Sequence, residues 1–197
     1  MARLAIFLDG GYVDKIFNEE FSVRIDYRKL SEKILGEIAA KTAEPIDLLR
    51  TLYYHCLPYQ GNPPSEEEAR RYGQARKFFD ALRYLDRFEV REGRLARIGF
   101  DRNDNPIFQQ KRVDLLLGLD FALLSGKGQI THAAVLSGDS DLLPAFEVAK
   151  NEGISVWLFH GPRASKKDHK PTYAAELRLA ADERVEIDSD FADQIRR

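Results

Sequence analysis

The chain has 197 residues, of which 31% are charged and 44% hydrophobic, and its formal net charge is −2. That size fits one domain with a substantial core, and the charge balance excludes a constitutively basic nucleic-acid coat while leaving room for a local basic patch. Cys56 is the single cysteine of the sequence, which excludes an intrachain disulfide and a cysteine-rich metal site.

The first apolar run, Leu4 to Leu8, reads as a strand. It lacks alternation, as expected of a central parallel strand covered on both faces. It ends in Asp9-Gly10-Gly11, and a short helix is expected from Tyr12 to Asn18. The apolar stretch within Met1 to Gly11 ends in Asp9 and is too short for a signal sequence, and no apolar run reaches membrane-spanning length. A cytoplasmic protein without membrane contact is the expectation. Asp26 is placed to cap a helix running to about Ala40. Leu48 to Leu57 is strand-like and stops at Pro58. Pro58 to Pro64 is a loop on composition. Ser65 and Glu68 then match a capping box, which opens a long amphipathic helix to about Leu85.

Residues 87–110 behave differently. Phe88 to Arg91, Leu95 to Phe100 and Ile107 to Gln109 read as short strands separated by turn formers, Glu92-Gly93 and Asn103-Asp104-Asn105. A small β insertion attached to the main sheet is expected there. Val113 to Ser125 is helical and apolar nearly all round, so it is expected to be mostly buried. Ala133 to Ser137 is the next strand and Leu142 to Glu152 the next helix, with Gly153 as its C-cap. Ile154 to Phe159 is another buried strand. Gly161 to Lys170 is a basic polar loop. A helix from Tyr173 to Ala181, a short strand at Val185 to Ile187 and a short terminal helix complete the chain. Helix and strand alternate through the second half. The economical fold is therefore a single α/β domain over 1–197, with a mostly parallel sheet and helices on both faces.

Two strand ends are tipped by acids, Asp9 and Ser137-Gly138-Asp139-Ser140-Asp141. The carboxyl edge of a parallel sheet is where ligands bind, and clustered carboxylates suit a hard cation such as Mg²⁺. Each acid also has a plain structural reading. Asp9 can cap the turn before Tyr12. Asp141 or Ser140 is better placed than Asp139 to cap the Leu142 helix, which leaves Asp139 free at the strand tip. Asp114 sits in the first turn of the apolar helix, where the helix dipole favours a carboxylate. If that helix is buried, the charge needs a partner, and a cation shared with Asp9 and Asp139 supplies one. Asp120 falls on a different face of the helix at about 100° per residue and reads as a structural ion pair. Lys111-Arg112 and the loop cations Arg163, Lys166, Lys167 and Lys170 are either solvated surface or phosphate contacts around the acids.

Phe7 to Tyr12 (FLDGGY), Lys111 to Asp120 (KRVDLLLGLD) and Val135 to Pro144 (VLSGDSDLLP) together resemble the NYN domain. This is a branch of the PIN-like nuclease superfamily, and the group most resembled is the bacterial LabA-like proteins. The resemblance runs in order from about Leu4 to Ala181. It implies a PIN-like fold and a nuclease that hydrolyses phosphodiester bonds, with RNA favoured over DNA by family tendency. It implies that Asp9, Asp114 and Asp139 bind Mg²⁺ or Mn²⁺, with Asp141 a further acid of the same motif. Gly11 stands where the family often carries Asn. A Mg²⁺-dependent phosphatase of the haloacid-dehalogenase type is disfavoured, because it needs a second Asp where Gly11 lies. A nucleic-acid-binding or regulatory module that keeps the acids without cleaving remains open, as does a homo-oligomer.

Overall fold

Strand β1, Ala2–Asp9, runs through the middle of the molecule and sorts its side chains by parity. Leu4, Ile6 and Leu8 enter one half of the core, and Ala5 and Phe7 enter the other. All five are fully buried. The computed structural model describes residues 1–102 and 106–197, without the side chains of Arg97, Gln110 and Lys111. The expected turn at Asn103-Asp104-Asn105 lies outside the described residues, as does the Lys111 side chain.

Six strands form one sheet in the order β3-β2-β1-β6-β7-β8. The others are β2, Ile46–His55; β3, Phe88–Glu92; β6, His132–Leu136; β7, Ser155–His160; and β8, Glu183–Glu186. Every neighbouring pair is parallel. From β1 the chain winds outward through β2 and β3, then returns beside β1 as β6 and winds the other way. The strand order therefore reverses between β1 and β6, and a crevice opens at their carboxyl ends.

Helices cover both faces, as a parallel sheet requires. On the Leu4 side lie α1 (Gly10–Asp14), α2 (Tyr27–Ala39), α3 (Glu66–Arg83) and α7 (Ser189–Gln194). On the Phe7 side lie α4 (Val113–Gly126), α5 (Leu143–Asn151) and α6 (Ala175–Ala180). The Asp26 carboxylate accepts from Arg28 N at 2.9 Å and Lys29 N at 3.2 Å, which starts α2. Ser65 and Glu68 form the complete capping box of α3. The expected helix from Tyr12 to Asn18 takes a less regular form. One α-turn passes into a π-helix over Lys15–Glu20, a conformation that hydrophobic periodicity does not signal.

Of the three short strands expected near 87–110, β3 pairs with β2 and forms one edge of the main sheet. The other two, β4 (Arg94–Phe100) and β5 (Pro106–Lys111), pair antiparallel as a separate hairpin. The hairpin runs straight into α4 through Arg112, whose φ of 75° is left-handed.

The expectation that α4 is mostly buried is corrected. Val113, Leu117 and Phe121 face the core, but Leu115 is 67% exposed, Leu119 53% and Leu123 48%. A helix that packs on a sheet buries one stripe only, and no described element covers the other. Among the described residues, no helix is long and apolar enough to cross a membrane.

Candidate active site

Because β1 and β6 are neighbours in register, with Leu8 opposite Leu136, the residues that follow them leave the sheet side by side. Asp9 ends β1, and Ser137 follows β6. The buried Ser137 hydroxyl donates to Asp9 Oδ2 at 3.1 Å and accepts from the Asp139 backbone N–H at 3.3 Å. One hydroxyl thus ties both strand ends together. Asp9 Oδ1 accepts from Tyr12 N at 3.2 Å, so this carboxylate also caps α1.

The glycines of these two turns permit close approach. A Cβ on Gly138 would lie 2.6 Å from the Thr172 carbonyl oxygen and 2.6 Å from the Tyr12 ring. A Cβ on Gly10 would meet the Tyr53 ring and hydroxyl at 2.7 Å. Bulk at either position would push an acid-bearing turn away from its neighbour.

Asp139, not Asp141 or Ser140, is the capping residue of its segment. Its Oδ1 accepts from Asp141 N at 2.9 Å. The reason is a 3₁₀ turn, Ser140–Leu142, which precedes α5 and moves the cap upstream. Leu142, at the start of α5 itself, makes no side-chain cap bond. Capping and cleft-lining therefore fall on the same residue, since a cap bond occupies one oxygen of the carboxylate.

Asp114 reaches the site from the other side, in the first turn of α4. It is exposed, so the inference that burial forces a partner on it does not hold; its position is what matters. Asp9, Asp114 and Asp139 line one open cleft of about 460 Å³, together with Lys15, Ser140 and Thr172. Asp141 lies in the adjoining groove along α4, which Asp114 also lines. A separate, smaller cavity beside Leu52, Asp120 and Leu124 is more enclosed and more apolar. It contains none of the converging acids, so the open cleft is the chemically meaningful one.

The electrostatics mark the cleft as crowded with negative charge. Removal from water raises the Asp9 pKa above the usual carboxylate value, and the charge on Asp114 raises it further. The Tyr12 N–H and Ser137 hydroxyl oppose both effects. The Asp114 pKa is raised as well, first by loss of solvent, then by Asp139 and by Asp141. Burial pushes the Tyr12 phenol up to about 12, so it stays protonated. Its hydroxyl oxygen accepts from Gly161 N at 3.0 Å, which holds the loop after β7 against α1.

The donor set is hard oxygen only, which suits Mg²⁺ or Mn²⁺ and not Zn²⁺. Each Asp9 oxygen accepts one hydrogen bond and keeps a further acceptor site. Among the described residues, no three His, Cys, Asp or Glu side chains stand close enough to ligate one ion directly. Mg²⁺ is commonly held by one or two carboxylates with water and phosphate completing its shell, a mode that needs no three direct protein ligands.

The other expected residues are placed as follows. Asp120 is a structural ion pair: Tyr54 Oη and Arg91 Nε both donate to its Oδ2 at 3.0 Å. Arg112 is exposed at the start of α4. The 163–170 loop follows β7 at the same sheet edge, but none of its four cations lines the cleft. Lys166 is tied down: its Nζ donates to the Glu20 carbonyl at 2.8 Å, and its backbone N donates to Glu20 Oε2 at 2.7 Å. Lys167 pairs with Glu19 at 3.6 Å and Lys170 with Asp168 at 3.6 Å, all exposed. Arg163 is exposed. Sequence reasoning missed Ser137, Tyr12, Lys15 and Thr172. Ser137 and Tyr12 lie inside the motifs that carried the acids; Lys15 and Thr172 had no local signal.

A family model of the NYN domain matches residues 3–188, nearly the whole chain. Comparison with curated proteins finds no match.

The crowded acids give a stability prediction. A carboxyl whose folded pKa is raised favours folding below the unfolded value, here 3.8, and loses that contribution as pH rises through the folded value. At neutral pH, Asp114→Asn should therefore melt higher than wild type without divalent ions. The gain should be small, about 1–3 °C, because the group is exposed and screened. Melts recorded from neutral pH down to pH 3 should show the difference shrinking to nothing. A variant that melts lower at neutral pH would mean that Asp114 is held by a favourable contact and not by repulsion.

Proposed function

We propose, from the premise that this chain belongs to the NYN domain family, that it is a divalent-metal-dependent nuclease acting on RNA through Asp9, Asp114 and Asp139. The domain is PIN-like and nuclease-type, and nucleases of this family typically use divalent metals. The observation that carries the reading is the convergence of three carboxylates, from β1, the β6 turn and α4, on one open cleft.

A bound Mg²⁺ or Mn²⁺ supplies charge neutralisation at the scissile phosphate and lowers the pKa of a water. Asp9 and Asp139, fixed to each other through Ser137, would hold the cation from the sheet edge, and Asp114 from the helix. Asp141, beside Asp114, is the further acid of the site and would accept a proton or orient water. Hydrolysis needs no nucleophilic side chain. Lys15 brings positive charge to a cleft that otherwise repels a phosphodiester. Lys111 and Arg112, leading into α4, and the 163–170 loop would contact the nucleic-acid backbone on either side. In that loop Lys166 seats the segment on Glu20, and Arg163, Lys167 and Lys170, all exposed, would meet the phosphates.

The direct experiment is cleavage of end-labelled single-stranded and hairpin RNA, with DNA in parallel, in Mg²⁺, Mn²⁺ or chelator. Cleavage is expected with either metal and none with chelator. Asp9→Asn and Asp139→Asn should each lower the rate on the order of a thousand-fold, since a ligand is worth several kcal/mol of charge stabilisation. Asn still caps a helix, so both variants should stay folded. RNA binding without cleavage in any metal would assign the chain to a non-catalytic binding role.

The loop is tested by salt titration of RNA binding to the Asp9→Asn protein. Joint substitution of Arg163, Lys167 and Lys170 by Ala should lower the log–log slope by roughly one for each phosphate no longer neutralised, for every RNA sequence alike. An unchanged slope would leave these three residues as solvated surface.

A further inference from the structure

Helix α4 is apolar on the side that meets the sheet and apolar again on the side that faces away. Leu115, Leu119 and Leu123 form an i, i+4 row along its outer surface, with Val148 of α5, 41% exposed, beside them. The polar side chains of the helix do not interrupt this row. Asp120 turns inward to Tyr54 and Arg91, and the buried Ser125 hydroxyl donates to the Phe121 carbonyl at 2.8 Å. We infer that two copies of this protein associate through α4, packed antiparallel about a two-fold axis, with the row Leu115, Leu119 and Leu123 buried against its own counterpart.

Three observations select a second copy as the occupant. The first is charge. Asp114 stands at the start of α4, with Asp141 beside it at the mouth of the same groove. Lys127 extends the leucine row by one more i+4 step at the helix end, is exposed, and has no ion pair among the described residues. Antiparallel pairing brings the partner's Lys127 to Asp114 and Asp141 at both ends, whereas parallel pairing sets like charges together.

The second is symmetry. A row of equivalent leucines at even spacing is self-complementary, which is the condition for a two-fold interface. The third is area. The four apolar side chains expose on the order of 400 Å² per copy, the size at which a patch marks an interaction site. Two such patches with their rims reach the roughly 1,000 Å² that a specific interface needs. Nucleic acid is a poor occupant of the row itself, because Leu115, Leu119 and Leu123 offer no phosphate contact and Arg112 lies before the helix, beside the acids. In the dimer each acid cleft gains a cation from the partner at its α4 side.

The test is sedimentation equilibrium and light scattering on the whole chain over a concentration series through the micromolar range. A dimer is expected. Leu119→Glu and Leu123→Glu change exposed positions, so circular dichroism should be unaltered. Each should raise the dissociation constant roughly a hundred-fold or more, because an unpaired charge enters an apolar interface. Lys127→Glu should weaken the dimer, and adding Asp141→Lys should restore it, since the two positions meet only across the interface. A wild-type chain that is monomeric at every concentration overturns the inference without recourse to any variant. A dimer indifferent to Leu119→Glu overturns it too, and failure of the charge exchange overturns the antiparallel arrangement.

Discussion

Two parallel strands that end together are the constraint on which the cleft depends. β1 and β6 are hydrogen-bonded neighbours, and the sheet winds away from them in opposite directions. No helix can cross over their carboxyl ends, so the crevice stays open. The Ser137 hydroxyl then converts neighbouring strand ends into neighbouring carboxylates, donating to Asp9 and accepting from the Asp139 N–H. Removing Ser137 would take from Asp9 one of the hydrogen bonds that oppose its desolvation, leaving that from the Tyr12 N–H.

Asp9 and Asp139 each do two things. Each caps the turn that follows its strand and each lines the cleft. A cap bond fixes the carboxylate's position with one oxygen and leaves acceptor capacity on the other. Rigid placement matters, since the charge on Asp114 raises the Asp9 pKa and the charges on Asp139 and Asp141 raise that of Asp114. Asp114 completes the set from a different element, at the end of a hairpin that enters α4 through the left-handed Arg112. The structural and functional readings of these acids are thus compatible.

Much of the scaffold was legible in the sequence. The unbroken apolar run at Leu4 to Leu8 implied a doubly covered parallel strand, and the caps Asp26 and Ser65 marked α2 and α3, because each signal is local and has one physical meaning. The lesson of α4 is different. Its uniform apolarity implied burial, but periodicity reports what a segment can bury and not what is there to cover it; the row at Leu115, Leu119 and Leu123 stays open in the single chain. Asp9 and Asp139 stood out because they end apolar strand patterns, and Asp114 because it interrupts an apolar helix. Lys15 was not, because a single Lys at the end of a short helical turn carries no local signal that it lines the cleft. The Lys166 contact with Glu20 was equally hidden, since it joins segments far apart in the chain.

Anomalous scattering from crystals soaked in Mn²⁺ is the direct test of whether Asp9, Asp114 and Asp139 form the proposed divalent-cation site. One or more strong peaks are expected in the cleft against Asp9 and Asp139, with Asp114 reaching an ion directly or through water. A cleft with no peak at saturating Mn²⁺, or Mn²⁺ bound only at acids elsewhere such as Asp120, would contradict it.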